Sequence, residues 1–321
     1  MKYEVAYLET ISLDLTNMNT LHFTAPDSSK VKALMAKGSN PGSMKRLLVP
    51  VDFSACAYNA LNQSLIIASV TGAEVVLLHA IHIPMRTDSL NVGSIDEMER
   101  EAKETLRGLE SSVEAWTETH GLDHISVKSV LSVGFPSEEI IRVAREMDVT
   151  MVVMGTQGAG GVEGFLLGSN AASVINHAGC PVLAMPADRL LYECDKVAFA
   201  TDLQVIDSAA IEQVIAFARP YLATVEFVHL FTPNEIVASD QLTAFEKKVR
   251  AMVSYPNLNF EGYESFHENV ADALQQYVDG NKVDVLAMLK RERGFLSGLF
   301  HNSVTKKMTI SAKEPVLVMH E

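Results

Sequence analysis

The sequence predicts an α/β fold built from two doubly wound, parallel, five-stranded sheets. Short apolar runs alternate with helical patterns along the chain, which is the order expected of parallel strands joined by helices. The pattern of the first half then returns in the second half. With 321 residues, of which 48% are hydrophobic, the chain is long enough for about two domains, each with its own core.

Composition limits the classes of protein to consider. No stretch reaches the ~20 apolar residues that cross a bilayer, and no basic region followed by an apolar segment opens the chain. The formal net charge of −14 disfavours binding to a nucleic-acid backbone. Cys56, Cys180 and Cys194 have no CxxC spacing, so the sequence predicts neither a disulfide framework nor a zinc site. We expect a cytoplasmic protein that binds no nucleic acid, no membrane and no metal through a cluster of its own.

The first 44 residues lack a sustained hydrophobic period. They end in the turn-forming run Gly38-Ser39-Asn40-Pro41-Gly42-Ser43, which is typical of a flexible connection. We therefore expect residues 1–44 to be a flexible extension, either a mobile tail or sequence upstream of a natural start at Met44. Regular patterning predicts one domain over residues 45–188, called copy one below, and a second over 193–321, called copy two.

Local signals predict the elements of copy one. Five short apolar runs predict strands at residues 47–51, 75–80, 125–133, 149–154 and 182–185. A helix is expected over residues 55 to about 70, with Ser54 as its N-cap and Gly72 at its end. Apolar residues spaced three and four apart predict a long amphipathic helix over residues 94–120. The remaining helices are expected to begin at Pro136 and at about Ser169.

The second half of the chain repeats the first half. A shift of 150 residues superimposes six identical pairs without a gap, namely Asp52 and Asp202, Ala60 and Ala210, Gln63 and Gln213, Ala68 and Ala218, Val75 and Val225, and His79 and His229. Further along, a shift of 134 residues aligns Met154 with Met288 and Ser169 with Ser303. Copy two has therefore lost 16 residues, and we expect its version of the long amphipathic helix to be shorter.

A glycine-rich segment is the most informative motif. It reads Met154-Gly155-Thr156-Gln157-Gly158-Ala159-Gly160-Gly161. Nine residues separate Gly158 from Gly168-Ser169, so that the pattern is GxxG-x9-GS. Glycines at a strand end let the backbone approach a ligand, and free N–H groups at the start of the next helix favour an anion. Ser169 would cap that helix or donate its hydroxyl to a phosphate oxygen. The alternative is a tight strand-to-helix turn without a ligand.

Four segments in a fixed order carry a resemblance to a known family. They are Val49-Pro50-Val51-Asp52-Phe53-Ser54, Leu77-Leu78-His79-Ala80, Val133-Gly134-Phe135-Pro136 and the GxxG-x9-GS motif. Together they resemble the universal stress protein family, well over residues 45–188 and more faintly over 193–321. The resemblance implies a Rossmann-like sheet of the adenine nucleotide alpha hydrolase type in each copy, and a role in the stress response.

The resemblance also implies a ligand, ATP with Mg²⁺. In ATP-binding members the adenosine lies against the ends of the first two strands, and the glycine loop and the following serine hold the ribose and phosphates. Carried over position by position, the binding residues are Pro50, Val51, Asp52, Ala80, Met154, Gly155, Gln157, Gly158, Gly168, Ser169 and Asn170. The carboxyl ends of the strands in an open parallel sheet are also where a ligand is expected on physical grounds.

Asp52 has two interpretations. Its carboxylate either accepts hydrogen bonds from amino or hydroxyl groups of a ligand, or caps the helix that follows. Asp202 persists in copy two, where the glycines do not. The capping interpretation therefore has about the same weight as the ligand-binding interpretation at both positions. His79 and His229 are interpreted as semi-buried ends of strands, and Cys56 as a small core residue.

Copy two departs from the glycine pattern. At the shift of 134 residues, Gly155 becomes Leu289, Gly158 becomes Glu292 and Gly168 becomes Asn302. A leucine blocks close approach to the backbone and a glutamate repels phosphate, so only copy one is expected to bind ATP. The leading hypothesis is a nucleotide-responsive regulatory module with an unknown protein partner. The alternatives are a slow ATPase or autophosphorylating protein that uses Ser169, and a scaffold without nucleotide; no catalytic residue is assigned.

Family members with a single domain pair through their final strands, and this chain has two such strands. Residues 181–185 and 315–319 are apolar and uncharged, and an exposed edge of that kind must be paired or covered. We expect the two copies to pack about a pseudo-twofold axis with these strands side by side, as a tandem pseudo-dimer. Pairing between chains, which would give a homodimer or larger assemblies, is the alternative.

Overall fold

A computed structural model describes residues 24–37, 44–82, 92–156, 168–203, 208–231, 239–266, 270–290 and 314–320. Its strands are β1 Arg46–Pro50, β2 Glu74–Ile81, β3 Val127–Val133, β4 Met151–Gly155, β5 Val182–Met185, β6 Lys196–Ala200, β7 Thr224–Phe231, β8 Leu258–Glu264, β9 Val285–Lys290 and β10 Val316–His320. Its helices are α1 Ser28–Lys37, α2 Ala55–Thr71, α3 Val92–Thr119, α4 Pro136–Glu146, α5 Ser169–His177, α6 Ser208–Ala218, α7 Ser239–Met252 and α8 Val270–Asn281.

The described strands form one sheet in the order β3-β2-β1-β4-β5-β10-β9-β6-β7-β8. Within each copy neighbouring strands are parallel, which confirms the predicted doubly wound α/β fold. The final strands β5 and β10 pair antiparallel, with Leu183 opposite Leu317. The two predicted five-stranded sheets are therefore halves of one ten-stranded sheet, joined where the sequence predicts.

Helices cover both faces of the sheet. One core includes residues of α2, α3, α6 and α7, and the other includes residues of α4, α5 and α8; both cores contain strand residues from the two copies. Of the 17 residues of helix α2, 15 are buried, so the helix has no solvent-exposed face. A helix that is buried all round needs cover on the side away from the sheet, and here α1 packs against it.

Helix ends follow the local signals. The side chain of Ser54 accepts a hydrogen bond from the backbone N–H of Ala57 at 3.2 Å, which confirms Ser54 as the N-cap of α2. Gly72 adopts φ 72° and donates its N–H to the carbonyl of Ala68 at 2.8 Å, as a left-handed C-cap does. The shortening of copy two is also confirmed, because α7 has 14 residues and its counterpart α3 has 28.

The N-terminal extension differs from the expectation over residues 24–37. Instead of a flexible tail, these residues contain helix α1, whose Val31 and Leu34 are 0% and 2% exposed. The helix is amphipathic over less than three turns, and two buried apolar residues are too few to give a period that stands out in the sequence. Residues 24–37 therefore belong to the folded protein.

Candidate functional site at the carboxyl ends of β1, β2 and β4

The order of strands reverses at β1, which lies between β2 and β4. In an open parallel sheet this reversal leaves a crevice at the carboxyl ends of the strands, because the connections on either side leave in opposite directions. Pro50, Asp52, Ala80 and Gly155 all lie at these ends. The N–H of Val51 donates to the carbonyl of Leu78 at 2.8 Å and holds the end of β1 to β2.

Asp52 is exposed and lies two residues after the end of β1. Its Oδ1 accepts hydrogen bonds from the backbone N–H of Ser54 at 3.1 Å and from the Ser54 hydroxyl at 2.6 Å. The cap of α2 is therefore Ser54, and Asp52 orients that cap rather than serving as the cap itself. Burial and the charge of Asp52 together raise the pKa of the nearby Tyr58 to about 12, so that phenol remains protonated at neutral pH.

The histidines at the strand ends have the same role in both copies. His79 Nδ1 lies 2.7 Å from the carbonyl oxygen of Val51, and His229 Nδ1 lies 2.9 Å from that of Thr201. Each histidine thus ties the residue after the first strand of its copy to the neighbouring strand. The turn that follows is also repeated, with positive φ at Phe53 (61°) and at Leu203 (59°). Because copy two keeps this geometry, it is a property of the fold.

Gly155 has a packing role that the motif does not reveal. A Cβ built on it would lie 2.8 Å from the Cβ and 2.9 Å from the carbonyl carbon of Cys56, in the first turn of α2. Such a distance is shorter than real Cβ contacts, so only glycine lets α2 approach β4 this closely. Cys56 itself is 5% exposed, in agreement with its interpretation as a core residue.

The two ends of the glycine loop are fixed to each other. The N–H of Gly168 donates to the carbonyl of Thr156 at 2.8 Å, and the N–H of Thr156 donates to that of Met185 at 3.0 Å. Gln157 and Gly158 lie outside the described residues. The hydrogen bond between Thr156 and Gly168 nevertheless places the start of α5 beside the end of β4.

The start of α5 is open at the surface. Its N-cap is Gly168, which has no capping side-chain hydrogen bond, and Ser169 and Asn170 are exposed in the first turn. Ser169 is therefore not the helix cap that the sequence suggested as one of its two roles. Backbone N–H groups in a first turn without a side-chain cap favour an anion.

The remaining predicted residues line the site less directly. Val51 and Met154 are 3% and 5% exposed and belong to the two cores, so they offer a ligand mainly their backbone. Pro50 and Ala80 are partly exposed.

Sequence reasoning missed an aromatic pair beside this site. The rings of His82 and Phe135 lie 4.6 Å apart at the ends of β2 and β3, and Phe135 is 57% exposed. Phe135 stands in one of the segments that carry the resemblance, and its apolar character between Gly134 and Pro136 was the available signal.

In copy two, a buried side chain occupies the position that Gly155 has in copy one. Leu289, at the position of Gly155, is 2% exposed and belongs to the core shared by the two copies. The next residue, Lys290, donates a hydrogen bond from its ammonium group to the carbonyl of Asn176 at the end of α5.

Within the described ranges, no group of three or more His, Cys, Asp or Glu side chains is arranged to hold a metal ion. In the same ranges, no helix has the length and apolar content to span a bilayer.

Comparisons with known proteins agree with this architecture. The model of the universal stress protein family matches the chain twice, over residues 44–186 and 193–320. A universal stress protein of Methanocaldococcus jannaschii is 32% identical over 155 residues, which cover 44% of this chain and 94% of that protein. One from Mycobacterium tuberculosis is 25% identical over 226 residues, covering 66% and 75%. The crystal structure of one from Archaeoglobus fulgidus shares the fold, with a TM-score of 0.66, 20% identity and coverage of 87% and 97%.

Proposed function

Since the chain belongs to the universal stress protein family, we propose that copy one binds one ATP at the carboxyl ends of β1, β2 and β4, and that the protein is a nucleotide-responsive regulatory module of the cytoplasm. The observation that carries the proposal is the pairing of Thr156 with Gly168. It brings the open start of α5 beside the point where the order of the strands reverses, so a phosphate group and a nucleoside can be held by adjacent elements.

Each part of the ligand has partners in this arrangement. The phosphates lie against the glycine loop and the first turn of α5, where Ser169 and Asn170 are exposed. The adenosine lies against the ends of β1 and β2, where Asp52 accepts hydrogen bonds from its hydroxyl or amino groups and Ala80 leaves room. Mg²⁺ arrives with the phosphates, as is usual for an ion that keeps several of its waters.

Binding rather than turnover is the proposed activity of the site. The chain's residues hold the phosphates and orient the nucleoside, and the proposal assigns no proton transfer to any of them. Release of phosphate by purified protein is therefore expected to be very slow beside ordinary enzymes, whose turnover is about 10 per second.

Calorimetric titration of the full chain with ATP and Mg²⁺ tests the proposal. We expect a stoichiometry near one, because copy two carries Leu289, Glu292 and Asn302 in place of the glycines. Gly158→Glu introduces the residue of copy two and is expected to abolish binding through repulsion of the phosphates. Gly280→Glu is the matched control, because that glycine lies in α8 with no atom within 4 Å of an added Cβ.

Two outcomes would contradict the proposal. Two equivalents of ATP bound per chain would mean that the glycines do not decide which copy binds. Undiminished binding by the Gly158→Glu variant would remove the glycine loop from the site.

A further inference from the structure

Residues 187–195, the linker between the copies, are held to α2 by hydrogen bonds. The Asn59 amide donates to the carbonyls of Pro186 at 2.6 Å and Arg189 at 2.7 Å. The Gln63 carbonyl oxygen accepts the N–H of Leu191 at 2.7 Å, and its amide donates to the Tyr221 hydroxyl at 3.1 Å. Gln63 is 0% exposed. One helix of copy one thus holds the linker and a residue of copy two.

Helix α1 and the residues before it also contact α2. Ala25, Val31 and Leu34 are 0–2% exposed and join the core that contains α2. The Asn62 amide of α2 donates to the carbonyl of Thr24 at 2.8 Å. These contacts cover α2 with apolar side chains and tie the chain before α1 to it by a hydrogen bond.

The same segment also contacts the linker. The Tyr192 hydroxyl accepts the N–H of Asp27 at 2.8 Å, and the Lys30 ammonium lies 5.2 Å from the centre of the Tyr192 ring. At the other end of α1, Lys37 Nζ lies 2.9 Å from a carboxylate oxygen of Glu193. Both ends of α1 are therefore attached to the linker, while its apolar face is attached to α2.

Helix α1 and most of the linker lie outside the family segment that contains the proposed nucleotide site. Residues 24–37 and 187–192 lie outside the segments that the family model matches. The contacts between Asp27, Lys30 and Tyr192 thus join two parts of this chain that the family pattern does not require. A helix of 10 residues is marginal in water by itself, so α1 depends on this contact for its structure.

We propose that α2 and the linker form a docking surface for a short amphipathic helix, and that residues 24–37 are its occupant, a detachable strap that holds the linker in place. Because α1 depends on docking and has only two buried residues, the strap is expected to open at a lower free energy than the whole protein unfolds. Opening exposes one side of α2 and frees the linker. The proposal does not depend on nucleotide binding.

Hydrogen exchange on the full chain tests the strap. Leu34→Lys places a charge in the buried face of α1, and Ala33→Lys makes the same change at an exposed position of the same helix. We expect Leu34→Lys to remove protection from the amides of α1 and to speed exchange of the Leu191 amide at least tenfold, because the linker is freed. Ala33→Lys is expected to change neither rate. Fluorescence of the single tryptophan, Trp116, checks that copy one stays folded in both variants.

Unchanged exchange at Leu191 when α1 has lost its protection would overturn the proposal, as would full protection of α1 in the Leu34→Lys variant. A second measurement uses a site-specific protease sequence inserted between Lys37 and Met44 of the full chain. After cleavage, the fragment that contains residues 1–37 is expected to co-elute with the remainder in size-exclusion chromatography and to separate from it in the Leu34→Lys variant. Immediate separation of the unsubstituted fragment would also overturn the proposal.

Discussion

Gly155 lies where β4 passes beneath the first turn of α2, and it illustrates how one residue serves two purposes. Its motif predicts close approach of a ligand, whereas the structure gives it a second reason to lack a side chain, namely contact with Cys56. Copy two resolves the same position differently, with the buried side chain of Leu289. Loss of this glycine and loss of the other glycines of the motif therefore accompany each other in copy two.

Gly155→Ala is expected to lower the free energy of unfolding by about 1–3 kcal/mol, because the first turn of α2 must shift to admit a methyl group. Urea denaturation measures the change. Gly280→Ala is the control, since its Cβ meets no atom within 4 Å and alanine favours the helix, giving a small gain below about 1 kcal/mol. Equal stability of the Gly155→Ala variant and the unsubstituted protein would show that the contact with Cys56 is not tight.

Which residues could be predicted depends on the range of their interactions. Ser54 and Gly72 act on backbone groups three and four residues away, so the local sequence was sufficient to assign both caps. The contact of Gly155 with Cys56 spans the chain from α2 to β4, and no local pattern reports it. The same holds for Glu226, which is 4% exposed and accepts hydrogen bonds from Asn259 at 2.7 Å and from Tyr277.

At the scale of elements, the end of α5 shows how the copies are joined beyond their strands. The last carbonyls of a helix lack partners within it. In α5 the carbonyl of Ile175 lies 2.8 Å from His320 Nε2, and that of Asn176 accepts the ammonium of Lys290. Both partners come from copy two, from the ends of β10 and β9. Copy two therefore completes a helix of copy one.

His320 makes this junction sensitive to pH. Burial lowers the pKa of His320 below its usual value of 6.5, and the charges of Lys290 and His177 lower it further. The unfolded chain then binds the proton more readily than the folded protein, so the stability that His320 contributes is present above about pH 6.5. It is lost as the pH falls through that value towards the lower pKa of the folded state.

His320→Gln keeps a donor for the carbonyl of Ile175 and removes the titration. We expect the free energy of unfolding of this variant to fall less between pH 7 and pH 5 than that of the unsubstituted protein. Urea denaturation at each pH measures the difference, and an NMR titration of the His320 ring measures its pKa directly. A pKa for His320 above 6.5, or identical pH dependence of the two proteins, would contradict the expectation.

Elements were predicted best where they are buried on both faces. Continuous apolar runs located the strands of copy one because a parallel sheet covered by helices needs them. Helix α1 escaped prediction because only two of its residues are buried, and its remaining support comes from Tyr192 and Glu193 in a distant linker. A short helix that depends on long-range contacts leaves little pattern in its own sequence.

On the scale of the whole molecule, the ten-stranded sheet joins the two copies at two buried strands, β5 and β10. Val182 lies opposite Val318, and Ala184 lies opposite Val316, with all four residues at 0–1% exposure. Alternate residues of these strands enter the two cores, and each core contains residues of both copies. Edges that would promote aggregation are thereby paired within the chain. The two copies are therefore expected to unfold as a single cooperative unit.

Val316→Lys tests this cooperativity from the side of copy two. A lysine buried opposite Ala184 without a partner is expected to cost about 3–5 kcal/mol. Trp116, the single tryptophan of the chain, is fully buried in copy one, so its fluorescence reports unfolding of that copy alone. We expect the substitution to shift the Trp116 transition and the far-ultraviolet circular dichroism transition together to lower urea concentration. Met252→Lys, a change of the same kind at a residue that is 46% exposed, is expected to shift neither. A Trp116 transition that stays in place while part of the circular dichroism signal is lost earlier would mean that the copies unfold independently, and that the junction of β5 and β10 does not couple them.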